Sequence, residues 1–281
     1  MTVCPACGGR LRAWRPGSRV CARCGSSCRE RIPDRLERDS HYASYYEAPP
    51  ELSPLTTARL QEWAKLLLPY KKTGRILEVG CGLGHFLAAA TTEGFEAWGT
   101  EISTSGLSRL EKRGFHVLNG ALAELALPAE HFDSVVLFEV LEHVEDPGRY
   151  LAESRRVLRE GGLLLLTTPN FGSLSRRLLA DRWRIVDPEH LVLFTGRGLR
   201  LALKGAGLRP VRIWSRNIDP TEIVRGLQQR SVRGGEERQR QIDACRATIA
   251  SRPWLRALKG AANGALRALA LGDTLEAWAE R

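Results

Sequence analysis

The sequence lacks a long hydrophobic run, an export signal and a low-complexity tract. No stretch of about eighteen consecutive apolar residues, the length that crosses a bilayer, occurs among the 281 residues. The opening MTVCPACGGR has no basic-then-apolar signal pattern. We therefore expect a cytoplasmic protein with reduced cysteines. Its length suits one medium domain with an appendage.

Acidic residues are the minority, with 32 Asp and Glu against 42 Lys and Arg. The excess lies in two segments. Residues 1–40 hold nine Arg against four acidic residues, and residues 219–267 hold ten basic against five acidic residues. Such segments can attract nucleic acid, an anionic membrane or a phosphorylated substrate. The alternative is that the arginines only solvate the surface.

Cysteine is scarce except at the N-terminus, where five of the seven cysteines fall within the first 28 residues. CPAC and CARC form two CxxC pairs, and each pair can bring two thiolates to one tetrahedral ion. Four thiolates favour zinc and leave no open position, which indicates a structural site. The predicted ligands are Cys4, Cys7, Cys21 and Cys24. Cys28 is spare, and Cys81 and Cys245 are typical of small buried residues.

The role of this zinc ribbon has two interpretations. The first is RNA binding, by arginines that surround a tryptophan suited to stacking. These residues are Arg10, Arg12, Trp14, Arg15, Arg19 and Arg23. The second is that zinc only staples a segment too small to fold alone. We favour the staple.

The rest of the chain alternates strand and helix patterns, which predicts an α/β fold with a parallel sheet covered on both faces. The predicted strands are 75–79, 97–100, 115–118, 134–138, 163–168, 211–215 and 274–279. The predicted helices are 55–70, 84–92, 105–113, 147–159 and 197–206. The predicted domains are a zinc ribbon (1–38), a connector with an N-terminal helix (39–72), an α/β domain (73–218 with 273–281) and a basic helical insert (219–272). Tyr42, Tyr45 and Tyr46 of the connector either form a lid or pack in the core.

A glycine-rich loop, GCGLG, follows the first strand of the α/β domain and opens a helix. Without Cβ atoms, Gly80, Gly82 and Gly84 allow a tight turn and a ligand against bare backbone. The spacing is GxGxG rather than the dinucleotide pattern GxGxxG. Glu78 before the loop can accept a hydrogen bond from an ammonium or amide. Glu101 ends the next strand, where a carboxylate can hold ribose hydroxyls.

These motifs resemble the class I S-adenosylmethionine-dependent methyltransferases, and most closely the ubiquinone-biosynthesis O-methyltransferases and related enzymes. The resemblance rests on ILEVGCGLG, GTEIS, FDSVVLFEVLEHVEDP, LREGGLLLLTTPN and GDTLEAWA. It implies a Rossmann-like sheet of order 3-2-1-4-5-7-6 with an antiparallel last strand. The implied cofactor contacts are Glu78, Gly80, Cys81, Gly82, Gly84, Glu101 and Phe138. An acid that often grips adenine is replaced by Ala121, so we expect backbone near Ala121 and Leu122 to serve instead.

The candidates for chemistry follow the fourth strand of the α/β domain, where a doubly wound sheet binds ligands. The resemblance implies that Glu139, Glu142 and His143 coordinate a divalent ion. The alternative is that His143 only packs under the loop and holds Glu142. His190, in DPEHLVLFT, suits proton removal from a hydroxyl. Its alternative role is to hydrogen-bond a loop before a helix cap at Thr195.

We expect methyl transfer to a hydroxyl of a small-molecule, glycan or lipid-linked metabolite. One alternative is an RNA methyltransferase, although no Asn/Asp-Pro-Pro-Tyr/Phe motif for a flipped base is present. Another is a non-catalytic scaffold. The cationic amphipathic pattern around residues 252–269 predicts either contact with an anionic membrane or, more commonly, packing on protein. The sequence does not predict the oligomeric state.

Overall fold

The computed structural model describes most of the chain. The described residues are 2–32, 52, 54–180, 183, 185, 189–216, 218, 223, 252, 254, 260, 261, 264, 266 and 269–281. Tyr42, Tyr45, Tyr46 and Cys245, as well as most of the predicted insert, lie outside this set.

Seven strands form the main sheet. Their bounds are β4 Arg75–Val79, β5 Glu96–Glu101, β6 His116–Asn119, β7 Phe132–Phe138, β8 Leu158–Pro169, β10 Arg209–Arg216 and β11 Thr274–Glu280. Their order in the sheet is β10-β11-β8-β7-β4-β5-β6. The five strands from β4 to β8 run parallel, and β11 pairs antiparallel with both β8 and β10. This arrangement confirms the predicted strand order and the antiparallel last strand.

Helices connect these strands on both faces of the sheet. Their bounds are α1 Pro54–Leu66, α2 His85–Thr92, α3 Thr104–Glu111, α4 Pro147–Val157, α5 Leu174–Leu179 and α6 Gly196–Gly205. Short 3-10 turns cover Leu68–Tyr70, Leu122–Glu124 and Leu141–His143. Side-chain caps begin several of the helices. In α6, for example, the Thr195 hydroxyl accepts a hydrogen bond from the Gly198 amide.

The boundary between α4 and β8 differs from the prediction. The sequence pattern extended the helix to Arg159, whereas α4 ends at Val157 and β8 begins at Leu158. Arg159 instead pairs with the fully buried Asp133 and donates to the Tyr70 carbonyl at 2.7 Å. The buried carboxylate holds Arg159 in the sheet, a long-range contact that helical periodicity does not encode.

A second sheet of four strands contains the N-terminal segment. Its order is β1-β2-β3-β9, with bounds β1 Leu11–Arg15, β2 Ser18–Cys21, β3 Ser27–Arg29 and β9 Val192–Leu193. The pairing between β3 and β9 is antiparallel and joins Ser27 to Leu193 and Cys28 to Val192. The N-terminal sheet therefore extends into the α/β region and is not a separate appendage.

The core lies on both faces of the main sheet. One face packs Leu77, Val135 and Leu164 with residues of α4 and α6. The other face packs Ile76 and Val136 beneath α1 and α2. Strand residues alternate between these faces, so the central strands are buried on both sides. The glycine loop that follows β4 meets Glu101, the last residue of β5, at the carboxyl edge of the sheet, and Glu139 follows β7 at the same edge.

Candidate active site

The glycine loop makes a tight turn between β4 and α2. Gly80, Gly82 and Gly84 have φ values of 67°, 52° and 70°, in the left-handed region that favours glycine. The Cys81 amide donates to the Thr100 carbonyl at 2.9 Å, which ties the turn to the end of β5. The loop is therefore held in place by its own backbone.

Two of these glycines are also required by packing. A Cβ atom on Gly80 would lie 2.8 Å from Cγ2 of Val140, and one on Gly84 would lie 2.5 Å from Cδ2 of Leu110. The glycine spacing alone predicts close approach of a ligand at both positions. Around Gly84 the close neighbour is helix α3, which packs against the start of α2.

Glu101 links the end of β5 to the glycine loop. Its carboxylate is only 4% exposed and accepts hydrogen bonds from the Gly82 amide at 3.0 Å and the Ser103 amide at 2.7 Å. Each carboxylate oxygen has two lone pairs, so the group retains acceptor capacity for ligand hydroxyls. The two amides fix the orientation of the carboxylate before a ligand arrives.

Glu78 is a buried acid below the loop. Its Oε2 atom is buried and has no hydrogen-bond partner among the described residues. Burial raises the pKa of Glu78 well above its ordinary value, and the nearby negative charge of Glu101 adds to the shift. A buried acceptor without a partner is costly. A cationic or N–H donor from a ligand at the loop fits this position.

The predicted adenine-side residues lie next to Glu101. The Gly120 amide donates to the Glu101 carbonyl at 3.0 Å, which brings the turn that follows β6 beside it. Ala121 precedes the 3-10 turn Leu122–Glu124, and the Leu122 side chain is almost fully buried. Leu122 can thus offer a ligand its backbone, while its side chain belongs to the core.

Phe138, at the end of β7, contacts two aromatic residues. Its ring stacks on Trp63 of α1 with centroids 4.5 Å apart, and meets Phe86 of α2 edge-on at 5.1 Å. These contacts anchor α1 against the carboxyl edge of the sheet. Sequence reasoning gave Phe138 a cofactor contact but did not anticipate its packing against Trp63.

Two carboxyl groups follow β7. Glu139 has a left-handed φ of 54°, rare for a residue with a side chain and a typical strain at functional sites. Glu142 is fully buried, and Thr168 donates to its Oε2 at 2.9 Å. Burial raises the pKa of Glu142 well above its ordinary value, and the charge of Glu139 raises it further. Desolvation also raises the pKa of Glu139, although less strongly than that of Glu142.

Two histidine rings lie beside Glu142. The His143 and His190 centroids are 4.7 Å apart. Nδ1 of His143 lies 3.2 Å from the Glu189 carbonyl, and Nδ1 of His190 lies 2.6 Å from the Ile185 carbonyl. A carbonyl only accepts, so Nδ1 carries the proton in both rings and Nε2 is the basic nitrogen.

The side chains of Glu142, His143 and His190 form a candidate metal site. Their ligand atoms lie within 4.8 Å of one another. Oε1 of Glu142 is buried without a hydrogen-bond partner among the described residues and lies 4.0 Å from Nε2 of His143. Backbone carbonyls orient both rings, as they do for many metal-binding histidines. This donor set fits a divalent ion, and it includes His190 where the sequence analysis placed Glu139.

The four N-terminal cysteines of the two CxxC pairs also converge. Sγ of Cys4 lies 3.7 Å from Sγ of Cys24, and Sγ of Cys7 lies 3.5 Å from Sγ of Cys21. Burial raises the pKa of Cys7 to about 11, and hydrogen bonding with Cys4 raises that of Cys24 to about 12. Four thiolates at this spacing require a cation, so the cluster fits a small zinc site. Cys28 is also buried and lies beside Cys4, whereas Cys81 is buried at the glycine loop.

Several polar contacts around the site were not found from the sequence. The Leu191 amide donates to the Glu142 carbonyl at 2.7 Å, so the segment after His190 is bound to the turn that carries His143. The Thr195 hydroxyl donates to the Cys24 carbonyl at 2.6 Å. Leu191 and Thr195 lie in the segment DPEHLVLFT, but the sequence of that segment does not indicate their hydrogen-bond partners.

The described part of the predicted insert is sparse. Trp254 is 61% exposed and Leu269 is 66% exposed. In the described residues we find no helix with the length and apolar character that a bilayer crossing requires. The predicted membrane contact of this segment therefore remains a prediction.

Comparison with known proteins identifies relatives of the α/β region. A family model described as a methyltransferase domain matches residues 55–213. A ubiquinone biosynthesis O-methyltransferase of Bradyrhizobium sp. is 28% identical over 161 residues, 54% of this chain and 56% of the relative. A probable S-adenosylmethionine-dependent methyltransferase of Mycolicibacterium smegmatis is 35% identical over 106 residues, 37% of this chain and 41% of the relative. The chain spans about half the length of these curated relatives.

The fold has solved counterparts. A SAM-dependent methyltransferase from Archaeoglobus fulgidus matches with a TM-score of 0.55 and 22% identity, covering 81% of this chain and 93% of that one. A phosphoethanolamine N-methyltransferase 2 from Haemonchus contortus matches with a TM-score of 0.57 and 19% identity, covering 86% of this chain and 57% of that one. At these identities the likeness concerns the fold alone.

Proposed function

This chain belongs to the methyltransferase-domain family, and we propose that it transfers a methyl group from S-adenosylmethionine to a hydroxyl of a small-molecule, glycan or lipid-linked metabolite. The observation that carries the proposal is the histidine pair beside Glu142, because two basic nitrogens at the carboxyl edge of β7 suit removal of a hydroxyl proton. A relative named as an O-methyltransferase supports oxygen as the accepting atom.

The residues proposed to hold the cofactor are those of the glycine loop and the two buried acids. Backbone at Gly80–Gly84 would hold the methionine portion, and Oε2 of Glu78, which has no partner in the described structure, would accept from its ammonium. Glu101 would accept from the ribose hydroxyls, and the backbone at Ala121 and Leu122 would hold adenine. S-adenosylmethionine, when bound, supplies a methyl group on a sulfonium that needs no further activation.

The histidines handle the proton in this proposal. Nε2 of His190 or His143 would accept the proton of the acceptor hydroxyl, and bound S-adenosylmethionine would supply the methyl group that takes the place of that proton, with a neutral thioether as its leaving group. The two rings are close enough, with centroids 4.7 Å apart, for either Nε2 to reach the same acceptor hydroxyl. Glu142, buried and bonded to Thr168, positions the turn that holds His143.

A divalent ion at Glu142, His143 and His190 is the alternative use of the same side chains. It would lower the pKa of a hydroxyl that binds to it and orient the acceptor. Oε1 of Glu142, buried without a partner in the described part of the chain, favours this use. Titration of a divalent ion into the zinc-loaded protein separates the two alternatives, because turnover should rise with the added ion if the acceptor binds to it and should stay unchanged if the histidines alone remove the proton.

The first experiment tests cofactor binding by calorimetry with S-adenosylhomocysteine. Removing a hydrogen-bonded charge of this kind costs about 1.5–3 kcal/mol, so Glu101→Gln should weaken binding about tenfold or more. Glu96→Gln, at the exposed start of the same strand, should bind like the wild type. Equal affinities of the wild type and Glu101→Gln would contradict the assigned ribose site, and no binding at all would overturn the proposed function.

The second experiment follows transfer of a labelled methyl group to hydroxylated probes, with catechol as the first. His190→Gln and His143→Gln should each lower turnover by about a hundredfold, the lower range for loss of a general base. His116→Gln, on the exposed start of β6, is the control. Label that stays on the cofactor with every hydroxyl probe would favour an amine or carbon acceptor, or the non-catalytic scaffold.

A further inference from the structure

We propose that the zinc ribbon is a positioning element of the active site. It holds the segment that carries His190 through the pairing of strand β3 with strand β9 and through three hydrogen bonds. The inference rests on the proposed function for the role of His190. It assigns to the ribbon a task beyond stapling the N-terminus. In this proposal zinc at the four cysteines is required for the geometry of the histidine pair, although it lies outside the catalytic site.

One side of the 189–195 segment is bound to the turn Leu141–His143, which carries Glu142 and His143. The Glu189 carbonyl accepts from Nδ1 of His143, and the Leu191 amide donates to the Glu142 carbonyl. His190 lies between these two contacts. Movement of the segment relative to the turn Leu141–His143 would therefore change the distance between the two histidine rings.

The other side of the segment is bound to the ribbon. The Arg29 amide donates to the Leu191 carbonyl at 2.9 Å, and β3 pairs with β9. Thr195 donates from its amide to the Ser26 hydroxyl at 3.2 Å and from its own hydroxyl to the Cys24 carbonyl at 2.6 Å. Cys24 is itself a proposed zinc ligand, so the path from metal to His190 is short.

Packing between the ribbon and helix α6 is close. A Cβ atom on Gly198 would lie 2.0 Å from Oγ of Ser26 and 3.4 Å from Sγ of Cys24. Trp14 of the ribbon meets Phe171 edge-on, with centroids 4.9 Å apart, and the two belong to a small apolar cluster with Leu193. The ribbon thus covers the back of the His190 segment.

Strand β9 has little stability of its own. It contains two residues, and the ribbon strand β3 is its ladder partner. A ribbon of this size lacks the core to stay folded without its metal. Loss of zinc should consequently release the segment from one side and leave the seven-stranded sheet intact.

Two glycine substitutions in helix α6 give a matched test. Gly198→Ala pushes against Ser26, whereas Gly205→Ala in the same helix meets no atom within 4 Å. Neither glycine has a positive φ, so both changes are compatible with a helix. Ser26→Ala is a second variant, since it removes the acceptor of the Thr195 amide, and Ser18→Ala is its control in the ribbon.

Amide hydrogen exchange of residues 189–195 is the first readout. We expect the Thr195 amide to exchange about tenfold faster in Ser26→Ala and in Gly198→Ala, as for loss of a buried hydrogen bond, and unchanged exchange in the controls. Zinc removal by a chelator should expose the whole segment but not residues 75–79. Unchanged exchange in both variants and in the zinc-free protein would overturn the inference.

Binding and turnover complete the test. S-adenosylhomocysteine affinity should stay the same in all four variants, because the hydrogen bonds described for the glycine loop and Glu101 are made with each other, with the end of β5 and with Ser103. We expect the turnover of a hydroxyl probe that the wild type methylates to fall in Ser26→Ala and Gly198→Ala. Turnover in Ser18→Ala and Gly205→Ala should equal that of the wild type. Absence of cofactor binding in the wild type refutes the proposed function instead, and faster exchange with unchanged turnover refutes the positioning role.

Discussion

At the scale of single residues, the buried acid Glu78 opposes stability and favours ligand binding. It is 6% exposed, its Oε2 has no partner in the described structure, and its carboxyl group lies near that of Glu101. Ionising such a group in the folded protein costs free energy unless a positive or N–H donor approaches. The site is therefore organised for a ligand at the expense of the ligand-free state.

The Glu78→Gln substitution should make the ligand-free protein more stable at neutral pH. The folded pKa of Glu78 lies above its unfolded value near 4.5. Below about pH 4.5 the acid is protonated in both states and does not lower the free energy of unfolding. This free energy falls as pH rises through the folded pKa, because the buried group must then ionise. We expect equal melting temperatures at pH 4.5 and a variant that melts about 3 °C higher at pH 7.5.

The control for this measurement is Glu96→Gln. A hydrogen bond from Trp98 lowers the pKa of Glu96, and Arg75 lowers it further. Its contribution is present above its unfolded pKa and is lost as pH falls, so its removal should lower the melting temperature slightly at pH 7.5. A Glu78→Gln variant that is less stable than the wild type at pH 7.5 would contradict the account of Glu78.

At the scale of elements, the glycine loop fixes how α2 packs on α3. Gly84 has a left-handed φ, and Leu110 lies where its Cβ would be. Gly114, just after α3, has a similar φ of 76° but no atom within 4 Å of the same position. Substitution of Gly114 by alanine therefore measures the free-energy cost of the left-handed backbone alone. The same substitution at Gly84 adds the cost of overlap between the new methyl group and Leu110.

Gly114→Ala should destabilise the protein by about 1 kcal/mol, the backbone cost of a left-handed residue. Gly84→Ala should cost about 1–3 kcal/mol more, because the new methyl group forces Leu110 to move. Urea denaturation of both variants measures the difference. Equal unfolding free energies would show that α3 adjusts freely, contrary to the close packing described.

The sequence was sufficient for the main sheet because its strands are continuous apolar runs between turn signals. The run 163–168 and the loop after 75–79 illustrate this, and both lie where predicted. Strand β9 was not predicted, since two residues have no periodicity and their partner lies at residues 27–29. Long-range pairing of this kind is decided by packing.

The same reasoning applies to the candidate site. Glycine spacing and the position of Glu101 at a strand end predicted the loop, because these depend on local backbone. The neighbourhood of His143 and His190, 4.7 Å apart, depends on how two distant loops meet above the sheet. The sequence identified both histidines but placed Glu139, rather than His190, with Glu142 and His143.

At the scale of the whole molecule, the docked ribbon argues against an RNA-binding module. Trp14 packs on Phe171, Arg19 pairs with Glu30, and Arg23 donates to the Cys7 carbonyl. These three side chains are among the six that the RNA hypothesis invoked for stacking and phosphate contact. Arg10 and Arg12 of the same set are exposed, and together with the net charge of +10 they can attract anions in general.

We therefore expect RNA affinity that depends on salt and ignores sequence. Binding of unrelated RNA oligonucleotides should weaken together, with log affinity falling linearly against log salt concentration. Filter binding between about 50 and 200 mM salt measures the slope. A single RNA that stays bound at the upper salt concentration, while others dissociate, would revive the RNA methyltransferase alternative.

The hydrogen bond between Ser26 and Thr195 joins positions that are 169 residues apart. At about 5–20 residues per second, a ribosome needs roughly ten to thirty seconds to make that stretch. Throughout this time the edge of β3 that pairs with β9 is uncovered, and an uncovered strand edge can pair with other nascent chains. Early binding of metal by cysteines within the first 24 residues would keep β3 a short, ordered strand until residues 192–193 are synthesised and pair with it.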